Sequence, residues 1–347
     1  MTLKLSVLDL VPVRTDQTSG DALRATLRLA AVADELGLHR YWLAEHHNMP
    51  AVAATNPPVL IAMVAAATSR IRVGSGGVML PNHAPLVVAE QFGLLEAAYP
   101  GRIDLGLGRA PGSDPVTGWA LRYGAGGVED DAAARFPEYV GHVIAMLGKD
   151  GVGLDVRGRT YPLRATPVAT STPPVWLLGS SDFSARLAAE MGLPYVFAHH
   201  FSGNGTDEAL ALYRDGFRPA AQGDRPTTFL TANVVVAASD EEAERLARPQ
   251  LLAMLALRTG GELGPQHLVE EAEAVVVPPE HADLFAAMRR RWLVGSADRV
   301  AAEVRALADR YDVDEVMVHP VAGAHAGTDP GSSPAREESL RLLSQVP

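Results

Sequence analysis

Arg40-Tyr41-Trp42-Leu43-Ala44-Glu45-His46-His47 begins as a short apolar, aromatic strand and ends in a carboxylate and two adjacent imidazoles. Trp42 and Leu43 suit a core, whereas Glu45 and His46 suit a polar rim, so the stretch reads as a buried strand that delivers side chains to an edge. Taken by itself it fits equally well a loop whose histidines bond to neighbouring backbone. Recurrence decides the matter. The run 71–80 ends in Gly74-Ser75-Gly76-Gly77-Val78-Met79-Leu80-Pro81, and 102–107 leads into Gly108-Arg109-Ala110-Pro111-Gly112. Residues 175–178 lead into Gly179-Ser180-Ser181-Asp182, 195–198 into His199-His200, and 315–318 into His319-Pro320.

With 3–10 as the first run and 228–238 as the seventh, eight strands follow one another along the chain. Helical stretches separate them. Asp21 caps the first helix, whose apolar positions include Leu23, Leu27 and Ala30, and Gly37 closes it. Asn56-Pro57-Pro58 opens the second, which is apolar nearly all round, and Pro85–Ala98 forms the third. Eight strand–helix units predict an α/β protein folded as a closed (β/α)₈ barrel rather than an open doubly wound sheet. Insertions are expected after strands four and seven, where a Gly-rich excursion reaches about residue 130 and where 258–291 breaks the rhythm with glycines and prolines. The whole chain, 1–347, is expected to form one domain, with 258–291 as a mobile lid within it. A barrel of this kind gathers its chemistry where the strands end.

Composition narrows the class further. The 347 residues are 47% apolar and carry a formal net charge of −11, with the basic residues scattered, which argues against a nucleic-acid surface. The chain has no cysteine, so it can build neither a disulfide framework nor a thiolate zinc site. Its N-terminal run alternates and carries charge, unlike a signal peptide, and the longest apolar run, 57–67, is too short to span a bilayer. A cytoplasmic protein is expected.

Gly179-Ser180-Ser181-Asp182 opens a helix, so free backbone N–H groups and two hydroxyls converge there, as at an anion site. Plain capping by Ser181 or Asp182 is the competing reading. Arg109, flanked by glycine and proline, could meet a phosphate or form an ordinary surface ion pair. Together the two features favour a phosphorylated cofactor or substrate.

At this level the chain resembles the bacterial luciferase-like flavin-dependent monooxygenases. The resemblance is carried by Trp42-Leu43-Ala44-Glu45-His46-His47, by Val73-Gly74-Ser75-Gly76-Gly77-Val78-Met79-Leu80-Pro81, and by Gly101-Arg102-Ile103-Asp104-Leu105-Gly106-Leu107-Gly108-Arg109. Gly179-Ser180-Ser181 and Leu293-Val294-Gly295-Ser296 support it more weakly. It implies a (β/α)₈ barrel that binds reduced FMN supplied by a separate NAD(P)H-dependent flavin reductase. FMN and O₂ would form a peroxyflavin that oxygenates an organic small molecule, such as a bulky secondary metabolite. By resemblance His46 is the catalytic histidine, while Glu45, Gly76, Gly77, Arg109, Gly179, Ser180 and Ser181 contact the cofactor, with Gly76-Gly77 as a non-proline cis peptide. His47, Gly108, His199, His200, Phe201 and Trp292 are assigned to the substrate pocket, and no metal is expected. Light-emitting relatives carry a cysteine where this chain has Gly108 and an acidic residue where it has Gly179, which argues against light emission as the native role. A deazaflavin-dependent oxidoreductase and a catalytically silent flavin-binding protein remain alternatives on the same fold. A metal hydrolase built on His46, His47, His199 or His200 lacks the His-x-His that strand one would need to carry. The apolar second and third helices imply a homodimer.

Overall fold

The computed structural model describes residues 3–110, 114–122, 132–201 and 203–345. Pro111, Gly112 and about half of the Gly-rich excursion lie outside the described residues. Eight parallel strands close on themselves: β1 (Lys4–Asp9), β2 (Arg40–Leu43), β3 (Arg72–Ser75), β4 (Ile103–Gly108), β5 (Val175–Gly179), β6 (Tyr195–Phe197), β7 (Thr228–Ala237) and β8 (Glu315–Pro320). Closure runs through β6 to β7, with Thr228 opposite Tyr195, and through β8 to β1, with Val7 opposite Val318. Every barrel ladder is parallel, which requires a crossover between each pair of strands.

Alternation along the strands fills the barrel in layers. Ser6, Arg40, Asp104 and Glu315 form a charged floor. Above it Leu8, Trp42, Trp176, Val196, Phe229 and Met317 make an apolar plug, with Trp42 meeting Trp176 and Phe229 edge-on at centroid distances of 5.6 and 5.2 Å. The plug seals the floor from the mouth. Residues pointing outward, among them Val7, Tyr41, Leu43, Val73 and Leu105, pack against the surrounding helices in the main core.

The wall helices are α1 (Ser19–Glu35), α2 (Pro57–Ala67), α3 (Pro85–Ala98), α4 (Phe136–Leu147), α5 (Asp182–Met191), α6 (Thr206–Gly216), α7 (Ala297–Tyr311) and α8 (Pro334–Ser344). The cap of α1 is Thr18 rather than Asp21. Asp21 sits three residues inside and returns the bond, its carboxylate accepting from Thr18 N at 2.9 Å, so the two residues form a reciprocal box. Helix α2 starts as read, with Asn56 Oδ1 accepting from Val59 N and Pro57 in the first turn. Its inner face, Leu60, Ile61 and Val64, is buried, but Val59 stays 57% exposed, and Val87 and Leu94 of α3 are 48% and 58% exposed. No helix among the described residues is long and apolar enough to cross a membrane.

Three elements depart from the expected outline. The run 71–80 is not one strand: it breaks at the cis peptide Gly76-Gly77, and Val78–Met79 resumes as a short separate piece against β4. Leu293–Ser296 forms an additional strand beside the outer half of β7, because β7 is ten residues long and outreaches its barrel neighbours. Strand β8 does have a helix after it, α8. Both expected insertions are present. The first holds a short helix, Pro115–Arg122, and a hairpin, Val152–Val156 with Arg159–Leu163, follows α4. The second follows a long helix, Asp240–Thr259, and contains two short helices, Val269–Ala274 and Ala282–Arg289.

Candidate active site

Two concavities lie at opposite ends of the barrel. The larger, about 1360 Å³, is a groove where the strands begin, around Lys4, Asp34, His39 and Asp314. Asp34 there is held at about 2: burial pushes its carboxyl up, but bonds from the Ser69, Arg70 and Ile71 amides outweigh that. A carboxylate so fully used is a structural brace. The second concavity, about 280 Å³, lies where the strands end and is bounded by His46, Met49, Phe201, Met254, His319 and Arg336. Chemistry favours the smaller one.

His46 follows β2 and donates its backbone N–H to Ala54 O at 2.7 Å. Its ring is largely enclosed, and Nδ1 is buried with no hydrogen-bond partner. Burial pushes its pKa below the usual imidazole value, with the Glu45 charge pulling the other way and His47 adding to the decrease. The ring is therefore neutral near pH 7, with a buried nitrogen whose bonding capacity is unused.

Glu45, expected among the cofactor contacts, turns into the protein. Its Oε1 accepts from His47 Nε2 at 2.7 Å and from His83 Nε2 at 2.6 Å, and its Oε2 from Met79 N at 2.9 Å. Burial pushes its carboxyl up, yet the bonds from His83, His47 and Met79 bring it below the ordinary value. Glu45 thus ties the loop after β2 to the segment following Gly76-Gly77. Glu45, His47 and His83 are close enough to share a cation, with ligand atoms within 4.8 Å, but the same atoms are already satisfied by these hydrogen bonds. His47 is bonded here rather than lining the chamber.

Beside His46 stand two further histidines, His319 buried and His200 half-buried. His319 Nδ1 lies 2.9 Å from Asn233 Oδ1, and Asn233 Nδ2 donates to His200 O at 2.8 Å. The amide's orientation makes Oδ1 the acceptor, so neutral His319 carries its proton on Nδ1 and leaves Nε2 as a lone pair. His200 Nδ1 lies 2.6 Å from Thr231 Oγ1, and its ring faces His319 at 6.1 Å. Burial and the neighbouring histidines push His200 down to about 4 and His319 well below the usual value.

On the other side of the mouth, Ser180 and Ser181 are exposed at the start of α5. Ser181 is the N-cap residue in extended backbone, but its side chain makes no capping bond, so the plain capping reading fails for it. Arg109 places its guanidinium 4.1 Å over the Phe183 ring, in the first turn of the same helix. A cation, two hydroxyls and free amides therefore meet at one helix N-terminus. Gly179 must lack a side chain, since a Cβ there would come within 2.3 Å of Ser184 Oγ. An acidic residue at that position requires Ser184 to move. Gly77 likewise lies against β4: a Cβ would approach Gly106 O to 2.9 Å. Gly108 is open, with Val78 O the nearest atom to a built Cβ at 3.8 Å. These features fit a flat, phosphorylated cofactor such as a flavin mononucleotide: bare backbone at Gly76, Gly77 and Gly108, an anion cradle at α5 and an unsatisfied nitrogen at His46.

The expected pocket residues divide. Phe201 lines the chamber, with Arg258 5.5 Å from its ring. His200 stands beside His319. His199 instead points to the barrel wall, bonded to Thr206 Oγ1 at 2.8 Å and edge-on to Tyr311. Trp292 belongs to an apolar cluster with Leu255, Met288 and Val294, filling the seam between the second insertion and the extra strand. Sequence reading missed His83, Thr231, Asn233 and Arg336. A signal existed for two of them: Phe229, Thr231 and Asn233 alternate along β7, so the polar pair falls in the phase of the barrel interior.

The family model of the luciferase-like monooxygenases matches residues 3–313. A protein of Escherichia coli strain K12 described as a luciferase-like monooxygenase is 41% identical over 92% of this chain and 91% of its own length. Among solved structures, the apo form of MsnO8 superposes with a TM-score of 0.83 at 34% identity, covering 99% of this chain and 97% of the other. The oxygenating constituent of 3,6-diketocamphane monooxygenase from Pseudomonas putida, solved in complex with FMN, shares the fold at a TM-score of 0.74 and 20% identity, covering 99% and 97%.

Proposed function

The chain belongs to the luciferase-like monooxygenase family, and from that membership we propose that it is the oxygenating half of a two-component system. It takes reduced FMN from an NAD(P)H-dependent flavin reductase, uses O₂, and inserts one oxygen atom into a small organic substrate in the cytoplasm. The observation that carries this reading is His46, with its buried, unpartnered Nδ1 on the wall of the apolar chamber. When bound, reduced FMN supplies the electrons that activate O₂.

The residues of the chain do the rest. Arg109, Ser180 and Ser181 hold the phosphate. Gly108 leaves open space beside a planar ring, and Gly76-Gly77, packed against Leu8 and Gly106, would supply the backbone it lies on. His46, neutral near pH 7, accepts or returns a proton through Nδ1. Glu45 bonds to His47, His83 and Met79 N and so fixes the loop that carries His46. The apolar plug beneath, together with Met49, Met254 and Leu257, excludes water.

The segment 258–291 acts as a lid in this reading, since Leu263, Gly264 and Gln266 roof the chamber. It is hinged to the body through Gln266, whose N–H donates to Val13 O and whose carbonyl accepts from Thr15 N. A bulky secondary metabolite would fit only with this roof displaced. In the observed geometry the chamber, about 280 Å³, suits a small molecule. A homodimer through α2 and α3 would cover Val59, Val87 and Leu94. The test is oxygen transfer under ¹⁸O₂ with FMN and a flavin reductase. One ¹⁸O atom in product supports the reading. Consumption of reduced FMN with no labelled product from any ketone or thioether tried would overturn it.

A further inference from the structure

The chamber's charge balance constrains what can enter it. Apart from histidines, Arg336 is the one charged side chain among the described residues that line it. Its charge is already paired: Nη2 donates to Asp9 Oδ1 at 2.7 Å, and Nε donates to Pro320 O at 2.8 Å. Asp9 is fully buried and is further held by Thr26 Oγ1, Tyr41 OH and Val11 N, so it cannot yield its partner. The ion pair is neutral as a unit. Gln250 and Gln266 add a second neutral element, with Gln266 Nε2 donating to Gln250 Oε1 at 2.8 Å. The remaining wall is largely apolar, with Met49, Val52, Ala253, Met254, Leu257 and Leu263.

A ligand carboxylate would find on the described wall only a guanidinium whose charge Asp9 already balances. Its desolvation would go uncompensated, or Arg336 would have to abandon Asp9 and leave that charge buried alone. An apolar molecule with a carbonyl loses little, because the Gln250 and Gln266 amides offer polar contacts without charge. Resting on the oxygenation reading above, we propose that the chamber takes a small, neutral, largely apolar molecule bearing a carbonyl-type acceptor, and rejects its carboxylate analogue. Neutral histidines on the wall sharpen the discrimination, since burial holds His46 and His319 below their ordinary pKa.

The experiment is isothermal titration of the full-length protein, loaded with oxidised FMN, with 2-octanone and with octanoate at pH 7.5. The two probes share a chain length and differ in charge. Octanone is expected to bind at least a hundredfold more tightly than octanoate. Met254→Lys, which places a cation in the apolar wall, should narrow that ratio at least tenfold. If that variant does not fold, Leu263→Trp, which fills the chamber, should abolish octanone binding. Octanoate binding as tightly as octanone, or neither probe binding, would overturn the proposal. So would octanone binding that is indifferent to whichever variant folds. FMN titration of the same samples separates the two readings. Octanone binding without FMN binding breaks only the oxygenase reading, and FMN binding with preferred octanoate breaks only the neutral-ligand one.

Discussion

At the floor of the barrel Arg40 stands between two carboxylates, 2.7 Å from Asp104 and 2.9 Å from Glu315. Arg72 adds a second cation to Asp104, Trp42 Nε1 donates to it at 3.0 Å, and Ser6 Oγ donates to Glu315 at 2.6 Å. At the mouth, one apolar layer away, His319 is buried and His46 and His200 are half-buried, no carboxylate among the described residues is bonded to any of them, and His46 Nδ1 has no partner. The same barrel encloses polar groups at both ends, saturated at one and under-bonded at the other. Burial pushes Arg40 down and Glu315 up. Around Arg40 the two carboxylates prevail and its pKa is raised, while at Glu315 burial prevails despite Arg40. A network closed on itself stabilises the fold and offers nothing to a ligand. One left open costs some stability and keeps bonding capacity for chemistry.

Breaking the floor should give the largest effect. Arg40→Met leaves Asp104 and Glu315 facing each other in a buried site, and the loss is expected at about 3–5 kcal/mol. Urea denaturation measures it. A loss under about 1 kcal/mol would mean that the floor is not what holds the barrel.

Acid should attack the mouth next. His200 is held at about 4 in the folded protein against about 6.5 in an unfolded chain, so the unfolded state takes up its proton first as pH falls. The stability tied to its neutral form is complete above about pH 6.5, declines as pH falls, and is gone by about 4. At 1.4 kcal/mol per unit, that is on the order of 3 kcal/mol. His39, near the floor, is also held at about 4, by burial and by Arg40, so the mouth must be isolated by substitution. His200→Asn should flatten the pH dependence of denaturation between 6.5 and 4. An unchanged slope would place the acid sensitivity elsewhere.

Arg109 sharpens the comparison within the mouth itself. Arg109→Ala should weaken FMN by about 1.5–3 kcal/mol, or roughly ten- to over a hundredfold, and leave riboflavin nearly unchanged. Fluorescence quenching of the two flavins reads this directly. Equal weakening of both would remove Arg109 from the phosphate site.

The order of strands, their ends and the site's location at the mouth were legible from sequence because each run changes character in the same direction, as at Leu43 to Glu45 and Phe197 to His200. Arg109 and Ser180-Ser181 were readable as a phosphate site with competing readings beside it, the cis Gly76-Gly77 came from family resemblance, and the geometry brings Arg109 and the two serines to one helix end. Side-chain direction was not legible. Glu45, His46 and His47 are consecutive, yet only His46 lines the chamber, because Glu45 is captured by His83 from a segment 38 residues away. His199 and His200 also look alike in sequence and diverge, one to the wall and one inward. Trp292 was drawn into the core by an extra strand that the long β7 alone makes room for. Long-range partners, absent from any local window, decided each of these.

The central claim is that the under-bonded mouth does the chemistry, with His46 moving the proton. His46→Ala removes a buried nitrogen that has no hydrogen-bond partner, so denaturation and FMN affinity should stay near the parent values. Reduced FMN and protein are mixed with oxygenated buffer in a stopped-flow instrument, and product is quantified from the same mixture. The account predicts that His46→Ala forms product about 10²–10⁴-fold more slowly at unchanged stability. Product at the parent rate from a folded, FMN-binding His46→Ala protein would contradict it.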